Sequence, residues 1–344
     1  MRALKITGPQ KIEVKEVVTP VVDGKNVLIK VNAVGICGSD LNFFRKGHVG
    51  AEGCTSTPGH EFCGTVVDPG ANQELKVGDR VVVMEINPCG GCEFCKAGRE
   101  NLCMNTLLNA YGSGAGNGPD GGMAEYALIR PDMVIKLPDN INDIEASLIE
   151  PASIAMHGIL RANANRDSRV LITGCGPIGL LCAAICQAMG VAQIVMTEVN
   201  EERIRFAQES GYADKILNGA EPALKDELKA MSEGGFTHVF ECTGVEPVAA
   251  MAMSTLRNAG HFQIVAMHGN LTISMVMISL KEIDIRGGLY FLPEDFQRVI
   301  DLMAQGKLKV EQLATRIATF EEAQACFEDL TSGKTNNAKI VLRP

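Results

Sequence analysis

The chain has 344 residues, a formal net charge of −9 and a pI near 5.3. That length suits two domains, each able to bury a core without disulfide help. The acidic balance disfavours nucleic acid and anionic membranes as partners, since both repel the average surface.

The start, Met1-Arg2-Ala3-Leu4-Lys5-Ile6, alternates like a strand and shows no export signal. With twelve cysteines, this points to reduced thiols in the cytoplasm, some of them serving as metal ligands. The first 150 or so residues read as β-rich. Alternating runs such as Val27 to Val31 and Arg80 to Met84 are separated by Gly, Pro and Asp turns, which suggests a barrel-like domain with long loops.

Within this region Gly35-Ile36-Cys37-Gly38-Ser39-Asp40 and Pro58-Gly59-His60-Glu61 each offer zinc ligands, and Glu150-Pro151 offers another. Any one of these alone is more often a packed residue than a ligand. His60-Glu61 does not begin a zincin helix, because Gly64 stands where a second histidine is needed.

Cys89, Cys92, Cys95 and Cys103 are separated by two, two and seven residues. Two-residue gaps let backbone amides point at the sulfurs, and Gly90 and Gly91 relieve strain. Four ligands fill a tetrahedral zinc and leave no open position, so the site reads as structural. An iron–sulfur cluster shares such gaps, but no proline follows the fourth cysteine. Gly112 to Gly122, six of eleven residues glycine, reads as a flexible loop before the strand pattern resumes at Met123.

From about residue 152 buried-strand runs alternate with helical segments: Arg169 to Thr173, Ile178 to Met189, Gln193 to Thr197, Glu201 to Ser210. This is the βαβ pattern of a parallel, doubly wound α/β sheet. It continues through His238 to Cys242, a helix after Pro247, His261 to Ala266 and Asp284 to Leu289. The apolar stretch Ile178 to Met196 is nearly long enough for a membrane, but Gln187, Gly190 and Gln193 interrupt it, so a buried helix and strand explain it.

Gly174-Cys175-Gly176-Pro177-Ile178-Gly179 follows one of these strands and opens a helix, as a dinucleotide phosphate turn requires. Glu198 lies nineteen residues beyond Gly179, where a carboxylate accepts hydrogen bonds from ribose hydroxyls and repels a 2′-phosphate; NAD is favoured over NADP. Arg203 stacks on adenine, meets a phosphate, or is a solvated helix charge.

These fragments, with Val77-Gly78-Asp79-Arg80-Val81 and Gly121 to Tyr126, stand in an order that resembles the zinc-dependent medium-chain dehydrogenases, nearest the polyol branch. The resemblance implies a GroES-like catalytic domain over 1–151, a Rossmann NAD-binding domain over 152–289 and a return to the first domain over 290–344. It implies a second, catalytic zinc on Cys37, His60 and Glu61, with Glu150 binding directly or through water in place of a cysteine. Ser39 then hydrogen-bonds the reacting oxygen, and Asp40 orients a ligand. Thr243, Val265 and Leu289 line the nicotinamide side, and a homodimer or homotetramer is implied.

Many relatives carry a histidine three residues after the Ser or Thr to relay the proton. This chain has Asn42, an amide that takes up no proton near neutral pH, so water, the ribose or another base such as His48 must serve. Phe43, Phe44 and Leu289-Tyr290-Phe291 are candidates for the pocket wall. Tyr290-Phe291 stands where sorbitol enzymes usually carry Arg-Tyr, and the loop before Cys103 lacks the histidine associated with threonine dehydrogenases. The leading expectation is NAD-linked oxidation of a secondary alcohol in a small-molecule polyol to a ketone, with a butanediol-like diol or threonine-type amino alcohol as the alternative. A zinc-stabilised NAD-binding redox sensor is the reading of another class, but it has no use for Cys37, Ser39, His60 and Glu150 together.

Overall fold

The computed structural model describes every residue except Asn117, His268 and Lys334. The first part of the chain supplies β1 (Arg2–Gly8), β2 (Lys11–Glu16), β3 (Val27–Gly35), β4 (Glu61–Asp68), β5 (Arg80–Val83), β6 (Tyr126–Ile129) and β7 (Val134–Lys136). The middle supplies β8 (Arg169–Thr173), β9 (Gln193–Glu198), β10 (Lys215–Asn218), β11 (Phe236–Glu241), β12 (Leu256–Ile264) and β13 (Asp284–Gly287). The tail adds β14 (Ala314–Thr319) and β15 (Lys339–Arg343).

The chain divides into two compact units. One comprises Met1–Glu150, Leu292–Ala304 and Val310–Pro344; the other comprises Pro151–Phe291 and Gln305–Lys309. Tyr290, Phe291 and Gln305–Lys309 thus fall outside the first unit, although the whole of 290–344 was expected there. The hold of Gln305–Lys309 on the second unit is visible: the Tyr212 hydroxyl donates to the Lys309 carbonyl at 2.6 Å, and Leu308 is buried.

In the first unit β1 and β2 form a hairpin, and a seven-stranded sheet runs β14-β15-β3-β4-β5-β7, with β6 also paired to β3. β3 is rich in Val, Ile and Ala and buries nearly every side chain, as a strand covered on both faces must. The core is closed from the tail, where Phe327 lies 5.2 Å from Phe44, ring centre to ring centre.

The glycine-rich segment is not loose. Gly121 N–H donates to the Thr57 carbonyl at 2.8 Å and Gly122 N–H to that of Gly59 at 2.7 Å. A Cβ on Gly121 would stand 2.1 Å from the Gly59 oxygen. Glycine therefore serves close approach here, pressing the loop against the residues that lead into His60; Asn117 lies outside the described residues. Gly121→Ala is expected to destabilise the first unit by about 1–3 kcal/mol through overpacking, read as a lower urea midpoint at unchanged slope.

The second unit is a six-stranded parallel sheet in the order β10-β9-β8-β11-β12-β13. Counted within this unit, that is the 3-2-1-4-5-6 order of a doubly wound dinucleotide-binding sheet, reversing between β8 and β11. β11 is buried along its whole length, and Leu180 to Cys186 of the helix Pro177–Ala188 are buried too. The long apolar run is accordingly a core helix and strand, and among the described residues no helix is long and apolar enough to cross a membrane.

Candidate active site

The first cluster grows out of strand register. β3 ends at Gly35, which pairs with Glu61 at the start of β4, so Cys37 comes to lie beside His60. A Cβ on Gly35 would meet the Glu61 carboxylate at 2.2 Å, so the approach needs glycine. One ligand atom each from Cys37, His60 and Glu61 lies within 4.8 Å of the others.

Cys37 caps the helix Gly38–Lys46, whose third residue, the buried Asp40, accepts the Cys37 N–H at 2.9 Å and the Gly59 N–H at 3.3 Å. Asp40 therefore ties together the two loops that bear Cys37 and His60. The Ser39 hydroxyl is 3.4 Å from His60 Nε2, while His60 Nδ1 is 3.9 Å from Asp40.

Asp40, Glu61, Glu85 and Glu150 are 0, 1, 0 and 4 % exposed. Among the described residues Lys339, on β15, is the one buried lysine or arginine, and it forms an ion pair with Glu61. Burial is the first cause that lifts two of these acids. Burial, then the charge of Glu85, raises Glu150 well above the usual carboxylate range, and burial lifts Glu85 to about 7 against the pull of His60. Burial opposes a charge on His60, but Cys37 and Asp40 outweigh it and hold the imidazole high.

A metal cation fits this donor set. Both Glu85 oxygens and His60 Nδ1 are buried without a hydrogen-bond partner among the described residues. A thiol, an imidazole and several carboxylates with one ammonium among them leave an excess of buried negative charge, which a dication would compensate. Sequence reasoning passed over Glu85 and Lys339. The only hint was a charged residue inside an apolar run, in Val83-Met84-Glu85-Ile86 and in Lys339-Ile340-Val341-Leu342.

The cysteine loop gathers a second donor set. Sulfurs of Cys89, Cys92, Cys95 and Cys103 lie within 4.8 Å of one another. Cys92 caps the short helix Glu93–Lys96 and accepts the Cys95 N–H at 3.5 Å, and Cys103 accepts the Cys89 N–H at 3.4 Å. Burial pushes the Cys103 thiol up, but the amides of Cys89, Thr106 and Asn105 pull it down to about 6. Amides aimed at sulfur favour thiolate, the form that binds metal.

In the second unit Gly174, at φ 87°, turns the chain out of β8. Gly176 is the residue before the helix, Pro177 its first residue, and Ile178 follows in the first turn. A Cβ on Gly179 would stand 2.0 Å from the Gly174 oxygen, so helix and turn pack as close as backbone permits. Glu198, ending β9, is preset by three amides: Cys175 at 3.0 Å, Val199 at 2.8 Å and Asn200 at 3.1 Å. Arg203 lies in the first turn of Glu201–Ser210, close enough for its charge to act on the Cys175 thiol. Thr243, Val265 and Leu289 follow β11, β12 and β13, hence sit at the carboxyl edge of the parallel sheet.

The pocket-wall candidates separate. Phe44 and Phe291 are fully buried and belong to packing; Phe43 is 9 % exposed. Tyr290 is held at φ 51°, an unusual backbone for an aromatic residue. Asn42 is exposed and its carbonyl accepts from Arg45 at 3.0 Å. His48 lies outside both metal-capable clusters.

Comparison with known proteins agrees with this architecture. Residues 23–139 match the alcohol dehydrogenase GroES-like domain, and residues 177–305 match the zinc-binding dehydrogenase family. D-xylulose reductase A of Aspergillus oryzae is 32% identical over 91% of this chain and 88% of its own. Sorbitol dehydrogenase of Bacillus subtilis is 31% identical over 100% and 97%. The crystal structure of 2R,3R-butanediol dehydrogenase from Bacillus subtilis superposes with a TM-score of 0.89 at 28% identity, covering 100% of this chain and 99% of that one. A parallel doubly wound sheet, a GroES-like domain, two donor sets suited to metal and full-length relatives converge: the chain belongs to the zinc-dependent medium-chain family of nicotinamide-linked alcohol dehydrogenases.

Proposed function

We propose that the chain oxidises a secondary alcohol of a polyol to a ketone with NAD, using one zinc held by Cys37 and His60 with Glu61 and Glu150 as exchanging carboxylates, and a second, structural zinc on Cys89, Cys92, Cys95 and Cys103. The observation that carries the reading is the convergence of Cys37, His60 and Glu61 within 4.8 Å, beside the buried Glu150. Relatives named for D-xylulose and sorbitol support the polyol class. When bound at an open site, zinc lowers the pKa of an alcohol hydroxyl and NAD accepts hydride from the carbinol carbon.

The residues of this chain do the rest. Cys37 and His60 would offer the metal a sulfur and an imidazole nitrogen; Asp40 holds both loops in place. Ser39, 3.4 Å from His60 Nε2, would accept the hydroxyl proton of the substrate while giving up its own to water or the cofactor ribose, because the Asn42 amide takes up no proton near neutral pH. Glu198, with both oxygens fixed by amides, accepts from the adenosine ribose and disfavours a 2′-phosphate.

Purified protein with NAD, assayed for NADH formation against polyols, vicinal diols and threonine, tests the reading, with about two zinc ions expected per chain. Activity confined to unhydroxylated primary alcohols would sink it. Preference for 2,3-butanediol over polyols would move the assignment to the diol branch, to which a structural relative named for 2R,3R-butanediol belongs. Glu198→Ala is expected to weaken NAD binding about tenfold while NADP binding holds or improves, measured by fluorescence titration.

A further inference from the structure

We propose that Glu241 is a fixed anion that biases the cofactor site toward the oxidised dinucleotide. The inference rests on the nicotinamide-linked reading above and concerns a residue that reading does not use.

Glu241 is the last residue of β11 and is 3 % exposed. It pairs in register with Thr173, the last residue of β8, so it stands where the strand order reverses. In an open parallel sheet a dinucleotide binds at that reversal, outside the carboxyl ends of the strands.

Among the described residues, every hydrogen bond to its carboxylate comes from a neutral donor. Oε1 accepts Thr243 N–H at 2.8 Å, Gly244 N–H at 3.0 Å and the Thr173 hydroxyl at 3.3 Å, together with the Thr243 hydroxyl. Oε2 accepts Gly244 N–H at 3.2 Å. The group accepts throughout, as an ionised carboxylate does, and none of these partners brings a compensating positive charge. Its field therefore reaches the crevice.

The two forms of the cofactor differ there by one charge: the oxidised nicotinamide ring is a cation and the reduced ring is neutral. A buried carboxylate at the same edge attracts the first and is indifferent to the second. Glu241 also shapes the loop. The Thr243 hydroxyl is committed to it while accepting Val245 N–H at 3.1 Å. The Thr243 methyl is left to face Gly174, where a Cβ would come within 3.0 Å of it. Loop shape and charge are separable by substitution.

The test is titration of the zinc-loaded protein with NAD⁺ and with NADH. Glu241→Gln keeps the outline and removes the charge; NAD⁺ affinity is expected to fall about tenfold relative to NADH, the scale of one partly shielded unit charge. Thr243→Val, which keeps the charge, weakens both forms alike. Val245→Lys, at a position 48% exposed, shifts the ratio in the same direction as Glu241→Gln by a smaller factor that salt reduces. An unchanged NAD⁺/NADH ratio in Glu241→Gln, or in Val245→Lys at low salt, overturns the proposal. Failure of the unaltered protein to bind either form would instead overturn the nicotinamide reading itself.

Discussion

Replacing His60 with alanine is expected to abolish alcohol oxidation and to release one of the two zinc ions proposed per chain. Several kcal/mol of charge stabilisation reside in a metal bound to a reacting oxygen. Loss of about 4 kcal/mol is about a thousandfold in rate. Atomic absorption after gel filtration, read beside NADH formation, checks both halves. His60 is buried between Cys37 and Asp40, and alanine leaves those two groups facing a cavity. Cys37→Ser is the companion: the hydroxyl is a poorer ligand than thiolate, so zinc loss and rate loss should follow together. Retention of two zinc ions with full activity in either variant would remove this cluster from the mechanism.

Lys339→Met is expected to destabilise the metal-free first unit by about 3–5 kcal/mol, because it strands the Glu61 carboxylate in a site 1 % exposed. Glu61 and Lys339 are paired through a buried contact between β4 and β15, with Glu61 also crowded by Gly35. Methionine fills the volume of the lysine stem but supplies no donor. The double variant Lys339→Met/Glu61→Gln should recover much of the loss, since an amide costs far less to bury than a lone charge. Urea unfolding in the presence of a chelator measures all three proteins. Equal loss in the single and double variants would mean that packing, not charge, explains Lys339.

The second half of the chain was legible because its signals are local. Buried β-runs such as Arg169 to Thr173 and the apolar helix after Pro177 carry strong periodicity, and the turn from Gly174 to Gly179 sits between them by sequence adjacency. β10 escaped notice because it is four residues long with an exposed lysine at its start. The metal-capable cluster was only partly legible. Cys37, His60 and Glu61 are short-range signatures, whereas Lys339 lies 278 residues from Glu61 and meets it only through the register of β15 against β3 and β4. Glu85 gave no motif, because its neighbour Glu150 is brought by a different element. The glycine-rich segment misled for a further reason: composition alone cannot separate glycine chosen for freedom from glycine chosen for contact, and Gly121 against Gly59 is the second kind.

The tail has a consequence for biosynthesis. β15, which follows all the other strands in chain order, lies between β14 and β3 inside the first sheet and carries the partner of Glu61. The dinucleotide-binding unit, lacking only Gln305–Lys309 beyond Phe291, can acquire its six strands while the first unit still waits for residues 310–344. Domains generally fold as units during synthesis. Order of completion is therefore the reverse of order in sequence, and a chain stalled or clipped shortly before Lys339 would hold a finished second unit and a first unit unable to neutralise its own buried acid.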